Sequence, residues 1–209
     1  MASELATRTR SAVLLSAVAL GLTVLHPYSF TIMVAIGLAL LWREWQALTR
    51  PYGLGWLAFG VVYIGIAGAC LLYLRFTSLP ILLSLIAIVC AADIAAYLVG
   101  KQFGRHKIAP RISPGKSWEG LAGGIVAAAA TGAMMSGVAP VPHAILGAAL
   151  AIIGLGGDLF ESWLKRRAGV KDSGTLIPGH GGLFDRLDAL LPCAIVAALV
   201  MYIRLHWGT

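Results

Sequence analysis

Charged residues are scarce in this chain of 209 residues, and the acidic ones are fewer than the basic ones. Only 12% of the residues are Asp, Glu, Lys or Arg, whereas 59% are hydrophobic. This is too little charge to solvate a globule of this size, so the composition excludes an ordinary water-soluble domain. The mean hydropathy of +0.85 and the long apolar runs instead predict a polytopic membrane protein.

Cysteine is also rare. Cys70, Cys90 and Cys193 lie singly in apolar segments, without a C-x-x-C pair or a Cys/His spacing, so neither a disulfide framework nor a zinc site is expected. The net charge of +7 comes from basic residues in short loops, where membrane topology and anionic lipid account for them. No nucleic-acid partner is therefore expected. Repeats, low-complexity tracts and linkers are missing too, so residues 1–209 are treated as a single membrane domain.

The apolar runs predict an all-α fold, a polytopic helical bundle with about seven transmembrane segments. These segments are 11–25, 28–42, 55–74, 79–100, 119–138, 143–164 and 187–204. The first two are short for a span, which needs about 17–25 residues, and His26 and Pro27 separate them. They could form a tight helical hairpin or partly re-enter the membrane. A cleaved signal peptide is an alternative for the first segment.

The Lys and Arg residues predict the orientation of the bundle. If the N-terminus is cytoplasmic, all but two of the 16 basic residues lie inside, and only Arg75 and Arg204 lie outside. This is a strong positive-inside bias. The inside set consists of Arg8, Arg10, Arg43, Arg50, Lys101, Arg105, Lys107, Arg111, Lys116, Lys165, Arg166, Arg167, Lys171 and Arg186.

The few acidic residues are concentrated in two short runs that this orientation places on the cytoplasmic side. Charge near hydrocarbon depth is costly, so such a concentration indicates a functional site. The first run is bracketed by Asp93 and Glu119, and the second holds Asp158, Glu161, Asp172, Asp185 and Asp188. Only Glu4 and Glu44 fall elsewhere.

The second run predicts a centre that binds a cation and phosphate. If segment 143–164 stays helical to Lys165, then Asp158, Glu161, Ser162 and Lys165 share one helix face. Mg²⁺ takes oxygen ligands, commonly one or two carboxylates completed by substrate phosphates. Asp158 and Asp185 are the first choices as ligands. As an alternative, Asp158 could simply pair with Lys165 or Arg186.

A glycine-rich stretch, 177–182, precedes the last acidic pair. It is too rich in glycine to be helical, and its exposed N–H groups could line an anion. Asp185 and Asp188 then lie three residues apart, on one side of the chain, although Asp188 could merely orient Arg186. Taken singly, His180 would be an ordinary loop histidine. Other glycines, such as those at 120–124 and 154–157, indicate close helix packing.

Residues 162–188 follow the pattern S-x-L-K-R-x4-K-D-x-G-x2-I-P-G-H-G-G-x2-D-R-x-D without a departure. This pattern resembles the signature of the phosphatidate cytidylyltransferases, the CDP-diacylglycerol synthases. An upstream run resembles that family's second motif through Asp93, Tyr97, Gly100, Phe103, Gly104, Arg105, Ser113, Pro114, Lys116, Trp118, Glu119 and Gly120. Residues 1–75 carry nothing diagnostic, so 90–209 is the predicted catalytic part.

The resemblance implies an enzyme of the bacterial inner membrane that joins phosphatidate to CTP, giving CDP-diacylglycerol and pyrophosphate. It implies Mg²⁺ as the metal, as one ion or two, a homodimer, and catalytic loops that face the cytoplasm. Two polyanions must meet in this reaction, so electrostatic repulsion is the main obstacle. Metal ions and basic side chains relieve it.

The resemblance also implies residue roles. Asp158 and Asp185 bind the metal at the triphosphate, and Asp188 assists. Lys165, Lys171 and Arg186 neutralise phosphate, while Asp172 and His180 orient their neighbours. Further substrate-binding residues are Ser162, Gly179, Gly181 and Gly182 around the triphosphate, Ser113, Lys116 and Glu119 over nucleotide or lipid phosphate, and Asp93 in an interior polar cavity.

Other functions stay open from the sequence. A related cytidylyltransferase could use another lipid phosphate, such as an ether-linked or polyprenyl-type acceptor, because apolar walls discriminate poorly between lipid tails. An inactive relative with a structural role would keep the same motifs. A cation-coupled transporter would also place acids in spans, but it predicts charges spread along a path through the bilayer.

Overall fold

The computed structural model of the protein describes residues 16–137, 139–176 and 181–207. Within these ranges the chain forms a bundle of helices and one β-hairpin. The elements are α1 (Ser16–Leu25), α2 (Pro27–Thr49), a 3-10 turn (Arg50–Tyr52), α3 (Leu54–Thr77), α4 (Leu79–Phe103), β1 (Lys107–Ala109), β2 (Ser113–Ser117), α5 (Trp118–Met135), α6 (Pro140–Arg167), α7 (Phe184–Leu187) and α8 (Leu190–Trp207).

Some predictions fall outside the described residues. They are residues 11–15 of the first apolar segment, with the charged start of the alternative signal peptide, and the loop residues Gly179 and His180.

Local sequence sets the helix boundaries. α2 starts where predicted, because His26 Nδ1 accepts the Tyr28 N–H at 3.3 Å and Pro27 occupies the first turn. Ser117 caps the start of α5, because its hydroxyl accepts the Gly120 N–H at 3.1 Å. Pro140 likewise lies in the first turn of α6. Polar caps and prolines therefore end the apolar runs at defined points.

Four helices in the described ranges, α3, α4, α6 and α8, are long and apolar enough to cross a membrane. They confirm the membrane class and the helical bundle, while the count of seven spans stays a prediction. α2 extends beyond the predicted 28–42, because it continues through Arg43 and Glu44 to Thr49. The extra turns carry Glu44 into the protein, where it is buried.

Small residues let α4, α5 and α6 pack closely. A Cβ atom on Gly120 would lie 2.8 Å from the Ala96 carbonyl oxygen, and one on Gly124 would lie 3.0 Å from that of Ala92. Both distances are too short for ordinary packing, so glycine is required there. The predicted packing role is confirmed at these positions. Gly156 differs, because nothing lies within 4 Å of the place its Cβ would take.

Both motif-bearing segments lie at the same end of the bundle. The Arg166 Nε donates to the Ile112 carbonyl oxygen at 3.3 Å, which joins the end of α6 to the hairpin. At the opposite end, Arg75 Nε donates to the Thr23 carbonyl oxygen at 2.7 Å, and Arg204 lies beside His143. Among the basic residues that the structure describes, Arg75 and Arg204 thus lie at the end opposite the motif-bearing segments, as the charge pattern predicts.

The hairpin is an addition to the predicted all-α fold. β1 and β2 pair antiparallel, with Lys107 opposite Ser117 and Ala109 opposite Ser113. Its base is closed by Glu119, since the carboxylate accepts the His106 N–H at 3.2 Å and lies 2.6 Å from His106 Nδ1. This hairpin projects Lys116 from β2 towards α6.

Candidate active site

One polar group at the motif-bearing end, here named the Lys116 cluster, consists of Asp93, Lys116, Asp158 and Asp188. Lys116 forms an ion pair with Asp158. Asp188 lies just before α8, where burial and then the negative charge of Asp158 raise its pKa to about 7. Asp93 adds to this rise and Lys116 opposes it. Lys116 and Asp158 are thus in direct contact, and Asp93 and Asp188 lie near enough for the charges of the group to influence one another.

Close backbone packing brings α6 to the start of α8. A Cβ atom on Gly157 would overlap the carbonyl oxygen of Asp188 and come within 2.7 Å of the Pro192 side chain. Glycine therefore lets the two backbones touch beside Asp158. Asp188 also caps its own turn, because its Oδ1 accepts the Ala189 N–H at 2.9 Å.

A second group, here named the Lys165 cluster, consists of Glu161, Lys165 and Asp185. Lys165 Nζ lies 2.6 Å from Glu161 Oε2 and 2.6 Å from Asp185 Oδ1. Glu161 is only 1% exposed, so the contact between its carboxylate and Lys165 is largely shielded from solvent. Because α6 stays helical to Arg167, the predicted shared face of Glu161 and Lys165 is confirmed.

Asp185 joins Ser173 to Gly182. Its Oδ2 accepts the N–H groups of Ser173 at 3.0 Å and Gly182 at 2.8 Å. Burial alone would raise the pKa of Asp185, but contacts with Glu161 and Lys165 and these N–H groups hold the pKa below its usual range. The carboxylate is therefore ionised and saturated with donors.

A residue outside both motif runs joins this assembly. Glu44 on α2 is buried, and it accepts the N–H groups of Leu183 and Phe184 at 2.8 Å each. The Ser173 hydroxyl lies 2.9 Å from the same carboxylate. The sequence pattern does not single out Glu44, although an acid just beyond an apolar segment of this charge-poor chain is itself a signal.

A cavity of about 490 Å³ opens beside the Lys116 cluster, between α4, α5, α6 and the hairpin. Asp93 lines it, as predicted, together with Lys101, Lys107 and Lys116. Most of the remaining wall is small and apolar, formed by Ala92, Ala96, Gly100, Gly104, Gly115, Gly120, Leu121, Gly124, Ala151 and Leu155. Such a space can take a phosphate at its basic rim and an apolar group along its wall.

The acidic residues are the candidate donors for the implied metal. In the described part of the chain, no three His, Cys, Asp or Glu side chains stand close enough to hold one ion. Mg²⁺ needs only one or two carboxylates when substrate phosphates complete its shell, and Asp158 with Asp188 meets that requirement chemically. Asp185 is a weaker candidate, because its oxygens already accept donors from Lys165, Ser173 and Gly182. Its role as a ligand stays a prediction that these contacts do not favour.

The other predicted residues have varied surroundings. Lys171, Asp172 and Arg186 are exposed near the Lys165 cluster. Asp172 lies against Gly181, whose φ of +82° favours glycine. Ser162 is buried on α6. Asp158 pairs with Lys116 rather than with Lys165 or Arg186, the alternative partners considered from the sequence.

Two further residues of the second motif belong to the hairpin. Ser113 is in β2 and is half-buried. Hydrogen bonds from its own backbone and then from His106 lower the pKa of Glu119 to about 2. Glu119 therefore stays ionised and holds the hairpin closed, and its predicted contact with substrate stays a prediction.

The sequence of the chain is similar to those of known proteins. Residues 51–204 match the sequence profile of the cytidylyltransferase family. The chain is 40% identical over 174 residues to the phosphatidate cytidylyltransferase of Brucella suis biovar 1 (strain 1330), which covers 78% of this chain and 60% of that protein. It is 45% identical over 138 residues to the enzyme of that name from Mycobacterium tuberculosis (strain ATCC 25618 / H37Rv), covering 64% of this chain and 42% of that protein.

The fold and site define an integral membrane protein with a centre of paired carboxylates and lysines at one end of its bundle. More particularly, the chain belongs to the cytidylyltransferase family. It spans about 60% of the length of its Brucella relatives.

Proposed function

We propose that this chain transfers the cytidylyl group of CTP to phosphatidate, giving CDP-diacylglycerol and pyrophosphate. The observation that carries the proposal is the ion pair between Lys116 and Asp158, because it joins the two motif runs into a single polar centre. Family membership and the relatives named phosphatidate cytidylyltransferase support it. By the charge pattern, the centre faces the cytoplasm from a bacterial inner membrane, where CTP is present.

The reaction needs two anions to approach each other. A phosphate oxygen of phosphatidate bonds to the α-phosphorus of CTP, and the bond from that phosphorus to the pyrophosphate oxygen breaks, so pyrophosphate leaves with the electron pair. Two unit charges 4 Å apart interact by about 4 kcal/mol at an effective dielectric constant near 20. Fixed cations at the site therefore lower the barrier mainly by neutralising this repulsion.

The two substrates are assigned to different parts of the polar centre. The cavity, with lysines at its rim and small apolar residues along its wall, suits the phosphate and acyl chains of a lipid. The Lys165 cluster adjoins Lys171 and Arg186, whose exposed basic side chains suit a triphosphate, while the Gly182 N–H is already taken by Asp185. Lys116 lines the cavity and also contacts Asp158, so it stands between the two substrates.

Asp158 and Asp188 would hold Mg²⁺ together with substrate phosphates, as one ion or as part of a pair. When bound, the metal supplies positive charge to the reacting phosphates. Asp185 instead fixes Lys165, Ser173 and Gly182. The homodimer implied by the family resemblance is part of the proposal.

A panel of acceptors tests the reaction and the substrate together. Detergent-purified protein is given labelled CTP and Mg²⁺ with phosphatidate, an ether-linked phosphatidate analogue, a polyprenyl phosphate or no lipid. We expect pyrophosphate release and labelled lipid with phosphatidate, and neither without lipid. Activity confined to the polyprenyl phosphate would replace the proposed substrate, and failure with every lipid phosphate would refute the function.

A further inference from the structure

Glu44 comes from α2, yet it lies against Ser173, Gly174 and residues 182–184 of the second motif run. Its Oε1 accepts the Leu183 N–H and its Oε2 accepts the Phe184 N–H, both at 2.8 Å. These are the two residues immediately before Asp185. A buried carboxylate that accepts two backbone N–H groups fixes the path of the main chain immediately before Asp185.

Ser173 links Glu44 to Asp185. Its hydroxyl oxygen lies 2.9 Å from Glu44 Oε2 and 3.1 Å from Asp185 Oδ2. Asp185 in turn contacts Lys165 through its other oxygen, at 2.6 Å. A continuous set of polar contacts therefore runs from α2 to the lysine of the Lys165 cluster.

Two glycines of the motif leave room for Glu44. A Cβ atom on Gly174 would lie 2.8 Å from Glu44 Oε1, and one on Gly182 would lie 2.6 Å from Glu44 Oε2. Any larger residue would push the carboxylate away from the backbone that it binds. The requirement for glycine at these positions thus comes partly from a side chain outside the motif.

The residue after Glu44 anchors the same segment through apolar contact. Trp45 is fully buried and packs against the ring of Phe184, with ring centroids 5.9 Å apart. Its Nε1–H donates to the Trp56 carbonyl oxygen at 2.9 Å, which fixes the indole. α2 therefore holds residues 183–184 by a polar contact and an apolar contact in succession.

We propose that Glu44 is a positioning residue that sets residues 182–184 and Asp185 against Lys165, and so shapes the binding place of the CTP phosphates. The inference deepens the proposed function and rests on it for the identity of the nucleotide. It assigns a part in positioning the site to residues 1–75, which carry no motif.

Glu44→Gln tests this with little change in size. A glutamine amide has a single acceptor oxygen, so Leu183 or Phe184 loses its partner. We expect kcat/KM for CTP to fall about 10- to 100-fold, with the KM for phosphatidate unchanged and the thermal midpoint in detergent near that of the wild type. Glu44→Asp keeps the charge but shortens the reach, so it should show the same pattern with a smaller loss.

Thr49→Val is the matched control. Thr49 is also buried on α2, but its hydroxyl donates to the Trp45 carbonyl oxygen of its own helix at 2.7 Å. We expect wild-type kinetics for CTP in this variant. An equal loss in Thr49→Val would mean that any disturbance of α2 has the effect, and it would overturn the proposal.

Hydrogen exchange separates this inference from the proposed function, because it needs no substrate. The amides of Leu183 and Phe184 should exchange faster in Glu44→Gln than in the wild type, whatever reaction the protein catalyses. Unchanged protection would overturn the positioning role. It would equally be overturned if both Glu44 variants lost CTP kinetics, phosphatidate kinetics and thermal stability in parallel, because that is the result of a purely structural role.

Discussion

At the scale of single residues, two lysines organise the acidic side chains. Lys116 pairs with Asp158, and Lys165 lies between Glu161 and Asp185. Each lysine comes from a different element from at least one of its partners. A charge pair of this kind orients both groups, so removing one member leaves the other misplaced as well as uncompensated.

Lys116→Met should lower lipid-dependent turnover of CTP at least tenfold, equivalent to about 1.4 kcal/mol in the barrier. The charge that faces both Asp158 and the cavity is lost while the apolar stem is kept. Initial rates with purified protein measure the effect. Arg111→Met removes an exposed charge from the same hairpin and should leave the rate within twofold. Equal rates for both variants would show that Lys116 does not act on the substrates.

The sequence predicted which residues carry the site better than it predicted their partners. Asp93, Asp158 and Lys165 stand out because charge is rare here, and the helical spacing of Glu161 and Lys165 fixes their contact. The partner of Asp158 could not be read, because Lys116 reaches it through a hairpin that the sequence did not reveal. Glu44 was missed because its contacts join residues 129 to 140 positions apart.

At the scale of elements, α6 is the helix that connects the two polar clusters. It contacts α5 through small residues and α8 through Gly157, and it carries members of both clusters. Its two central glycines have opposite surroundings, although they are neighbours in sequence. They therefore offer a direct test of packing.

Gly157→Ala should destabilise the protein by about 1–3 kcal/mol, because the new Cβ overlaps the Asp188 carbonyl oxygen and forces α6 from α8. Gly156→Ala meets nothing within 4 Å, so helix propensity should keep it neutral or stabilise it slightly. Thermal midpoints in detergent give the comparison. Equal midpoints for the two variants would contradict the close approach of the helices.

The hairpin should respond to pH through Glu119. Its pKa of about 2, against a usual value of 4.5, means that folding favours the ionised carboxylate. The stabilisation is therefore full above about pH 4.5 and is lost as the pH falls towards 2. The ¹³C signal of the Glu119 carboxyl should titrate near the lower value.

His106→Ala provides the control for this titration. It removes one of the contacts that lower the pKa of Glu119 and keeps the backbone contact, so the midpoint should move part of the way towards 4.5. A midpoint near 4.5 in the unaltered protein would show that the hairpin is not closed by this carboxylate.

The long helices could be predicted because apolar length and helix-ending residues are local properties. The hairpin could not, since residues 107–117 lack the alternating apolar pattern of a half-buried strand. Its strands are fixed by His106 and Glu119 at the base and by Arg166 of α6 at the turn. The full length of α2 was missed because Arg43 and Glu44 look like the end of a span.

At the scale of the whole molecule, the polar chemistry is confined to one end of an apolar bundle. The described residues of both clusters, the hairpin and the C-terminal end of α2 meet there, while Arg75 and Arg204 lie at the other end. This distribution differs from the path of charges through the bilayer that a transporter would need.

Single cysteines test the arrangement in membrane vesicles. In a cysteine-free variant, cysteines at positions 111 and 171 should react with an impermeant maleimide from the same side, and one at 204 from the opposite side. The positive-inside pattern predicts that 111 and 171 are cytoplasmic. Labelling of 111 and 171 from opposite sides would be incompatible with the pairing of Lys116 and Asp158.

Because α6 is a continuous helix, it fixes the distance between residues along its length. Asp158 and Lys165 are seven residues apart on a continuous helix, which separates the two charge centres by about 10 Å along its axis. One residue inserted between them would rotate one centre by about 100° relative to the other. In the proposed reaction, the spacing and relative orientation of the lipid and nucleotide sites therefore depend on the number of residues between Asp158 and Lys165.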